Sequence, residues 1–465
     1  MADAQAKFLE GNLFRHISVM SLTASVGLMA IFAVDFIDMI FISMLGKAEL
    51  AAAVGYAATI LFFTTSFGIG MAIAAGALVA RALGSGDGQL AEETRTHSLI
   101  YGVLFGAAFA ALVWVNLAGI VDLLGAKDRT AELAVSYLQI IVPSLPFLMI
   151  GMMGGAILRA HGDARRAMMA TIYGGLVNAV LDPILIFGLN LELTGAALAS
   201  VAARIVMGVT ALMPIIKHYG GVQRPKLRGL IRDLPPIAGI AFPAILTQLA
   251  TPVGQAIVTR AMADFGEAAV AGMAIVGRLT PLSFGVIFAL SGAVGPILGQ
   301  NFGARDFGRV RGGLNAALVF TGLVIVAVSA ILFALRGPIS DLFSATGITR
   351  DLVFLFCGPL SLLFFFNGVL FVANATFNNL GHPFYSTFLN WGRNTVGMIP
   401  LVFVGSALFD AKGVLLGQAL AGVIFGVLAW WLARLVIANA PDSGVSENSE
   451  FGRQGRLISL LHLRR

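Results

Sequence analysis

The chain has 465 residues, of which 58% are hydrophobic and only 12% are charged, and its mean hydropathy is +0.89. A water-soluble protein of this length could not cover its surface with so few charged side chains, so the composition predicts an integral membrane protein in contact with the lipid bilayer. The net charge of +6 does not indicate nucleic-acid binding, because the cations lie in short loops and no nucleic-acid motif is present.

Apolar segments of about 20 residues, long enough to cross a hydrocarbon core of about 30 Å, follow one another along the chain. Polar and apolar residues do not alternate in them, so helices are favoured over the strands of a membrane barrel. We predict an all-α membrane protein with twelve transmembrane helices. The predicted spans are 16–44, 51–80, 97–121, 133–158, 168–189, 194–216, 237–262, 270–299, 312–335, 352–378, 385–408 and 413–437.

A polar segment between spans six and seven divides the chain. This segment, 217–236, carries five Lys or Arg residues and two adjacent prolines, and we predict that it is a cytoplasmic linker between an N-terminal lobe, 1–216, and a C-terminal lobe, 237–437. The tail, 438–465, ends in "GRLISLLHLRR", which could form a short basic amphipathic helix on the membrane surface or a frayed end.

Loop motifs recur in the two lobes at one offset. "GIVDLLGA" returns as "GPISDLFSA", so that Asp122 and Asp341 are 219 residues apart, and "LRAHGDARRA" and "RALGSGD" have counterparts at the same offset. Because each repeat contains six spans, both repeats start with the same orientation in the membrane. A parallel repeat predicts two six-helix lobes around a central cleft, the architecture of an alternating-access transporter.

The positions of Lys and Arg predict the orientation. Loops on one side of the predicted spans carry most of these residues, so we expect that side, with both termini, to be cytoplasmic. The cations on this side include Arg81, Arg95, Arg159, Arg165, Arg166, the linker residues, Arg305, Arg309 and Arg311.

Two acids lie in the first span, in "FAVDFIDMIFI". An ionised Asp at the centre of a transmembrane helix costs about 3 kcal/mol, so such a residue is a functional candidate. Asp35 and Asp38 are within one helical turn of each other. At least one of them is expected to be functional, and the alternative is a carboxylate solvated at the mouth of the cleft.

The fifth span contains a second acidic site, in "GGLVNAVLDPILIFG". Asn178 and Asp182 are four residues apart and share a helix face, and Pro183 leaves the carbonyl of Ala179 without its helical partner. These oxygens suit a proton or a small cation such as Na+. The alternative is an Asn–Asp pair that joins neighbouring helices.

The repeat indicates that the acids are confined to the first lobe. At an offset of 219, the positions of Asn178 and Asp182 in the second lobe are Gly397 and Leu401. Acids that merely held a bundle together would be expected in both lobes, so the asymmetry favours a coupling site in the N-terminal lobe alone. Other polar residues in the spans include Arg204, Gln248, Gln255, Arg278, Asn367, Asn374, Asn390, Arg393 and Asn394.

With these features in place, residues 12–437 resemble the multidrug and toxic compound extrusion (MATE) family of cation-coupled antiporters. The resemblance rests on "VDFIDMIFISMLGKAELAA", "ARALGSGD" with "GQNFGARD", "LRAHGDARRAM", "NAVLDPILIFG" and "LTGAALASVAAR", in that order and at the family's spacing. It implies export of amphipathic, often cationic organic compounds through a central cavity, driven by inward flow of H+ or Na+.

The resemblance also implies roles for individual residues. The cation-coupling set would be Asp38, Asp182, Asn178, Ser200 and Tyr137, with Asp35 as an extra acid of undefined role. From the polar residues within the spans, and not from the resemblance, we take Arg278, Gln255, Asn374 and Arg393 as candidates for a substrate cavity; Arg278 and Arg393 could instead pair with a carboxylate or extend to the membrane interface. We expect no cofactor and no structural metal, with Na+ as the only metal considered, at Asp38, Asp182 and Asn178. The partners expected are lipid and a small organic substrate, with the chain as a monomer in a plasma membrane, in bacteria the inner membrane.

Two other functions remain open. A flippase of lipid-linked sugars or peptidoglycan precursors would show a basic cavity, for which Arg278 and Arg393 are candidates, whereas the buried acids argue against it. A membrane-embedded enzyme is the weaker alternative, because the sequence has no metal-ligand cluster, no nucleophile motif and no nucleotide-binding P-loop. Without a P-loop, the energy for transport is expected to come from an ion gradient.

Overall fold

The computed structural model describes residues 6–440, and these residues form helices joined by short loops, with no strand among them. The prediction of an all-helical membrane protein is confirmed. The amphipathic segment suggested for the C-terminal tail lies outside the described residues. The helices of the N-terminal half are α1 (Leu13–Met44), α2 (Ala48–Gly84), α3 (Gly88–Val115), α4 (Leu117–Leu123), α5 (Asp128–Ile141), α6 (Leu145–Ala160), α7 (Ala164–Pro183) and α8 (Glu192–His218).

The C-terminal half also consists of helices joined by short loops. Within residues 6–440, two short π-helical turns, Ile184–Gly188 and Phe356–Leu360, and a 3-10 turn, Val142–Ser144, join consecutive helices. The helices of this half are α9 (Leu227–Ala263), α10 (Glu267–Ser283), α11 (Gly285–Gly303), α12 (Phe307–Leu342), α13 (Gly347–Leu355), α14 (Ser361–Leu363), α15 (Phe365–Leu380), α16 (Pro383–Asn394) and α17 (Met398–Asn439).

Within residues 6–440, ten helical segments are long and apolar enough to cross a membrane, and the pair Gly347–Leu363 and Phe365–Leu380, bent by 45°, adds an eleventh. One of the ten, Pro383–Asn439, contains two predicted spans. Its helix α17 is interrupted at Phe409 and Asp410, whose backbone angles are not helical. Counting its two arms separately gives the twelve spans that the sequence predicts.

Glycines on both arms of α17 show that the chain reverses direction at this interruption. Gly405 lies against Gly413, and a Cβ on Gly417 would lie 2.7 Å from the carbonyl carbon of Leu401. Both pairs are centred on Phe409, so the two arms pack antiparallel over two turns. Small residues allow this backbone approach, which supplies packing energy where lipid provides no hydrophobic driving force between helices.

The repeated loops have the same local structure in both halves. Asp87 and Asp306 are the N-caps of α3 and α12, where their carboxylates accept hydrogen bonds from the backbone of Leu90, at 2.9 Å, and Arg309, at 2.8 Å. Each cap satisfies an orphan donor at the start of a helix. The paired glycines at 162 and 381 both adopt positive φ, of 77° and 90°. The repeated sequence motifs therefore specify where helices begin and end in both halves.

The contacts divide the described chain into two compact units. The first comprises residues 6–7 and Val26–Ala241, and the second comprises Phe8–Ser25 and residues 242–440. Helix α9 starts at Leu227, ten residues before the predicted start of span seven, and its first turns belong to the first unit. The lobe boundaries at 216 and 237 stay a prediction.

The close packing in the α17 hairpin predicts that Ala substitutions at two glycines differ in their effect on the free energy of unfolding. Gly417→Ala should lower the free energy of unfolding by about 1–3 kcal/mol, because the added methyl group meets fixed backbone atoms of Leu401 and Val402. Gly337→Ala in α12 is the matched control, since a Cβ there meets nothing within 4 Å, and its effect should stay below about 1 kcal/mol. Thermal unfolding of the purified proteins measures both, and equal midpoints would contradict the tight hairpin.

Candidate ion-coupling site

The amide of Asn178 joins two carboxylates from different helices. Its Nδ2 donates to Oδ2 of Asp182, at 2.7 Å, and to Oδ1 of Asp38, at 3.0 Å. Asn178 and Asp182 lie one turn apart on α7, as their spacing predicts, and Asp38 comes from α1. A primary amide has two N–H groups, so a single side chain can hold both acids.

The two carboxylates form a buried acidic pair in the first unit. Asp182 is 1% exposed and Asn178 is 5% exposed, whereas Asp38 is half-buried. The second oxygen of Asp182, Oδ1, is buried and has no hydrogen-bond partner. A buried acceptor without a partner loses its hydration and gains nothing in return, so this oxygen is suited to a proton or a small cation.

The end of α7 is shaped by Pro183. After this residue the chain continues as the π-helical turn Ile184–Gly188, in which the amide of Leu189 donates to the carbonyl of Ile184, at 2.9 Å. Helix α8 lies directly against the turn, because a Cβ on Gly195 would be 2.7 Å from the carbonyl carbon of Leu185. Single π-turns within helices are frequent at functional sites.

Tyr137 and Ser200 complete the site. Tyr137, on α5, is buried, and its side chain interacts with the hydroxyl of Ser200 on α8 and lies within electrostatic range of Asp38 and Asp182. The structure thus brings Asp38, Asn178, Asp182, Tyr137 and Ser200 together. Asp35 is more exposed and lies within electrostatic range of Asp38, at the edge of this cluster.

Arg204 adds a cation that the sequence analysis did not assign to the site. It follows Ser200 by one helical turn on α8, and its Nη1 donates to Oγ of Ser144, at 3.1 Å, and to the carbonyl of Ile141, at 3.3 Å. These acceptors belong to the break between α5 and α6, where Pro143 interrupts the helix. Two features of the sequence could have indicated that Arg204 belongs to the site. It is four residues from Ser200, and it is the sole charged residue of predicted span six.

The four residues suggested for a substrate cavity fall into two groups. Asn374 and Arg393 join a network of amides in the second unit: Asn374 accepts from Nδ2 of Asn390, at 3.2 Å, and Arg393 donates to the side-chain oxygens of Asn367 and Asn394. Gln255, on α9, and Arg278, on α10, are exposed and lie outside this network. Among the residues that the structure describes, the hydrogen-bond partners of Arg393 are thus amides, not carboxylates.

A family search matches both halves of the chain. The MatE family model matches residues 24–184 and 243–404, and the two segments start 219 residues apart, the offset of the loop motifs. The match therefore covers more than half of the chain and reproduces its internal repeat.

Similar proteins are found among curated sequences and solved structures. A FAD transporter of Shewanella oneidensis is 27% identical over 426 residues, 90% of this chain and 93% of its own length. The multidrug export protein MepA of Staphylococcus aureus is 23% identical over 441 residues, 94% of this chain and 97% of its own. The structure of a MOP superfamily transporter from Pyrococcus furiosus, 22% identical, superposes with a TM-score of 0.86 over 94% of this chain and 98% of that chain, which shows a shared fold.

The hydrogen bonds of Arg204 predict a loss of stability when this side chain is replaced. Arg204→Met should lower the free energy of unfolding by about 1–3 kcal/mol, because acceptors at the helix break lose a charged donor inside the protein. Arg260→Met is the matched control: its ion pair with Asp264 is largely exposed and should contribute less than about 1 kcal/mol. Thermal unfolding of the two purified variants compares them, and a similar small shift in both would mean that Arg204 does not hold the break.

Proposed function

Because the chain belongs to the MatE family of membrane transporters, we propose that it is a secondary antiporter that exports amphipathic, cationic organic compounds in exchange for inward H+ or Na+. The observation that carries the proposal is the bridge from Asn178 to Asp38 and Asp182, placed in helices that cross the membrane. Acids in such a setting are costly, and a cation that binds and leaves during a transport cycle gives them a function.

The proposed coupling starts with the charge of the acidic pair. Two unit negative charges repel by about 4 kcal/mol at a separation of about 4 Å and an effective dielectric constant of about 20, so a doubly charged pair favours a cation between its oxygens. A proton on either carboxylate removes the repulsion, and Na+ would be held by oxygens of Asp38, Asp182, Asn178 and Ser200. The ion in this way changes how firmly α1 is held against α7.

Substrate binding also depends on the equilibrium between the conformations of the protein. An ion gradient drives export only if the ion and the substrate favour different conformations of the protein. Each ligand can shift the equilibrium between two conformations by no more than the difference in its affinity for them. The proposed coupling therefore requires that ion and substrate have opposite effects on the α1–α7 contact. Arg278, Gln255, Asn374 and Arg393 would contact the substrate without holding the ion.

A second candidate substrate class is anionic. One relative is described as a FAD transporter, and the guanidinium of Arg393 lies among amides in the second unit, with no carboxylate among its hydrogen-bond partners. A phosphate-bearing flavin would make charge-assisted hydrogen bonds with such a group. The same cation would serve the lipid-linked sugar of a flippase, for which the acidic pair would have no evident use.

The proposed cellular setting follows from the distribution of charge. Helices α3, α7, α9 and α12 carry Arg or Lys near their N-terminal ends, which supports a cytoplasmic location for these ends by the positive-inside rule. Both termini would then be cytoplasmic and the chain a monomer in the plasma membrane, in bacteria the inner membrane.

Neutral variants of the acids test the coupling. Asp38→Asn and Asp182→Asn should each reduce gradient-driven export at least about tenfold, because an amide cannot exchange a proton or neutralise Na+. Asp35→Asn is the matched control and should have a smaller effect, since Asp35 is exposed and lies at the edge of the cluster.

Proteoliposomes loaded with ethidium, a lipophilic cation, provide the assay under an imposed sodium gradient and, separately, an imposed pH gradient. The two gradients identify the coupling ion. Near wild-type export in both acid variants would show that the acids are structural and would refute the mechanism.

Labelling of introduced cysteines tests the orientation. In intact cells, a membrane-impermeant thiol reagent should reach a cysteine from Lys127→Cys but not one from Gly88→Cys, which should react only after the inner face is exposed. Native Cys357 is buried, and the unmodified chain serves as the control. Labelling of both positions from the same side would contradict the span assignment.

A further inference from the structure

A basic pocket lies at one end of the first unit, away from the acidic pair. It has a volume of about 290 Å³ and is bounded by the first turns of α3 and by the segment that leads into α9. Four cations line it: Arg224, Lys226, Arg228 and Arg232. The coupling mechanism uses none of them.

Among residues 6–440, three of these cations have no acidic partner. Arg232 is paired, since its Nη2 contacts Oε2 of Glu93, at 2.9 Å, and its Nε contacts Oδ1 of Asp233, at 2.7 Å. Glu93 is the one acid that lines the pocket. In the part of the chain that the structure describes, Arg224, Lys226 and Arg228 make no ion pair with any residue, so the pocket carries an uncompensated positive charge.

The pocket is held in shape by contacts beneath it. Nδ1 of His97 is 2.6 Å from Oδ2 of Asp233, and both residues are buried. Gly229 lies directly on the ring of His97, where a Cβ would be 2.8 Å from Cε1. The hydroxyl of Tyr101 donates to the carbonyl of Leu230, at 2.7 Å. The segment is therefore fixed on α3, so its cations need little reorganisation to bind a ligand.

Exposed apolar residues beside the cations of the pocket indicate the chemical class of its ligand. Leu227 and Ile231, one turn apart on α9, are 73% and 64% exposed. They stand beside Lys226, Arg228 and Arg232, at the starts of two helices that cross the membrane. Cations at the starts of membrane-spanning helices, next to exposed apolar side chains, match a molecule with both a phosphate and acyl chains.

We propose that this pocket binds the phosphate of an anionic phospholipid, with the acyl chains against Leu227 and Ile231. The phosphate is held by Arg224, Lys226 and Arg228, and the first turn of α9 adds the positive end of its dipole. A bound lipid then fastens the segment between α8 and α9 to α3. A soluble phosphate compound offers the same headgroup chemistry but leaves the apolar residues exposed.

Binding to the full-length protein in detergent tests this proposal. The variant R224Q/K226Q/R228Q is compared with R15Q/R165Q/R311Q, which removes the same charge from exposed starts of α1, α7 and α12. The probes are phosphatidylglycerol, zwitterionic phosphatidylcholine and glycerol phosphate, and the readouts are bound lipid by native mass spectrometry and the rise in the thermal midpoint.

Phosphatidylglycerol should bind and stabilise the wild type and the control variant, and its affinity for the pocket variant should be about 100-fold lower, since each basic residue contributes about a factor of five. Equal affinity of the two variants would overturn the site. Equal stabilisation by glycerol phosphate would overturn the lipid as its ligand. None of these readouts depends on transport, so the result is independent of the proposed antiport.

Discussion

The first unit depends on one amide that holds two acids. Asn178 donates to Asp38 on α1 and to Asp182 on α7, and it leaves one buried oxygen of Asp182 without a partner. Carboxylates are rarely placed among transmembrane helices because ionised groups are costly there, so their close approach needs either donors or a cation. The amide supplies two donors, and the unpartnered oxygen leaves a position for the cation. The features around it, the π-turn after Pro183 and the close packing at Gly195, set the positions of the helices that carry these groups.

The internal repeat shows how the two halves of one fold have diverged. Both halves keep the aspartate caps and left-handed glycines, which any copy of the fold requires to start and stop its helices. At the positions of Asn178 and Asp182, the second half instead has Gly397, which packs on Phe425, and Leu401, which packs on Gly417 in the α17 hairpin. At these positions the second half therefore has tight helix packing, where the first half has a polar site. The network around Arg393 in the second unit consists of amides and a guanidinium, which can contact a substrate but do not readily exchange protons.

The sequence predicts the parts of the structure that depend on local composition. The number of spans follows from apolar length, and the pairing of Asn178 with Asp182 follows from helical spacing. The contact of Asn178 with Asp38 comes from residues 140 positions apart, so only the resemblance to a family could suggest it. Two features were missed for similar reasons. Helix α9 starts at Leu227 because contacts of the linker with Tyr101 and His97 support its polar first turns. Arg204 was not assigned because its acceptors lie at a break in another helix.

The central claim is that one cation at Asp38 and Asp182 opposes substrate binding. Equilibrium binding of a fluorescent organic cation to the purified protein in detergent, without any gradient, tests it most directly. If ion and substrate oppose each other, the dissociation constant should rise with the concentration of the coupling ion, with a limiting slope of about one on logarithmic axes, and this dependence should disappear in Asp182→Asn while binding itself remains. A dissociation constant that is independent of both pH and sodium in the wild type, or the same dependence in the variant, would contradict the account.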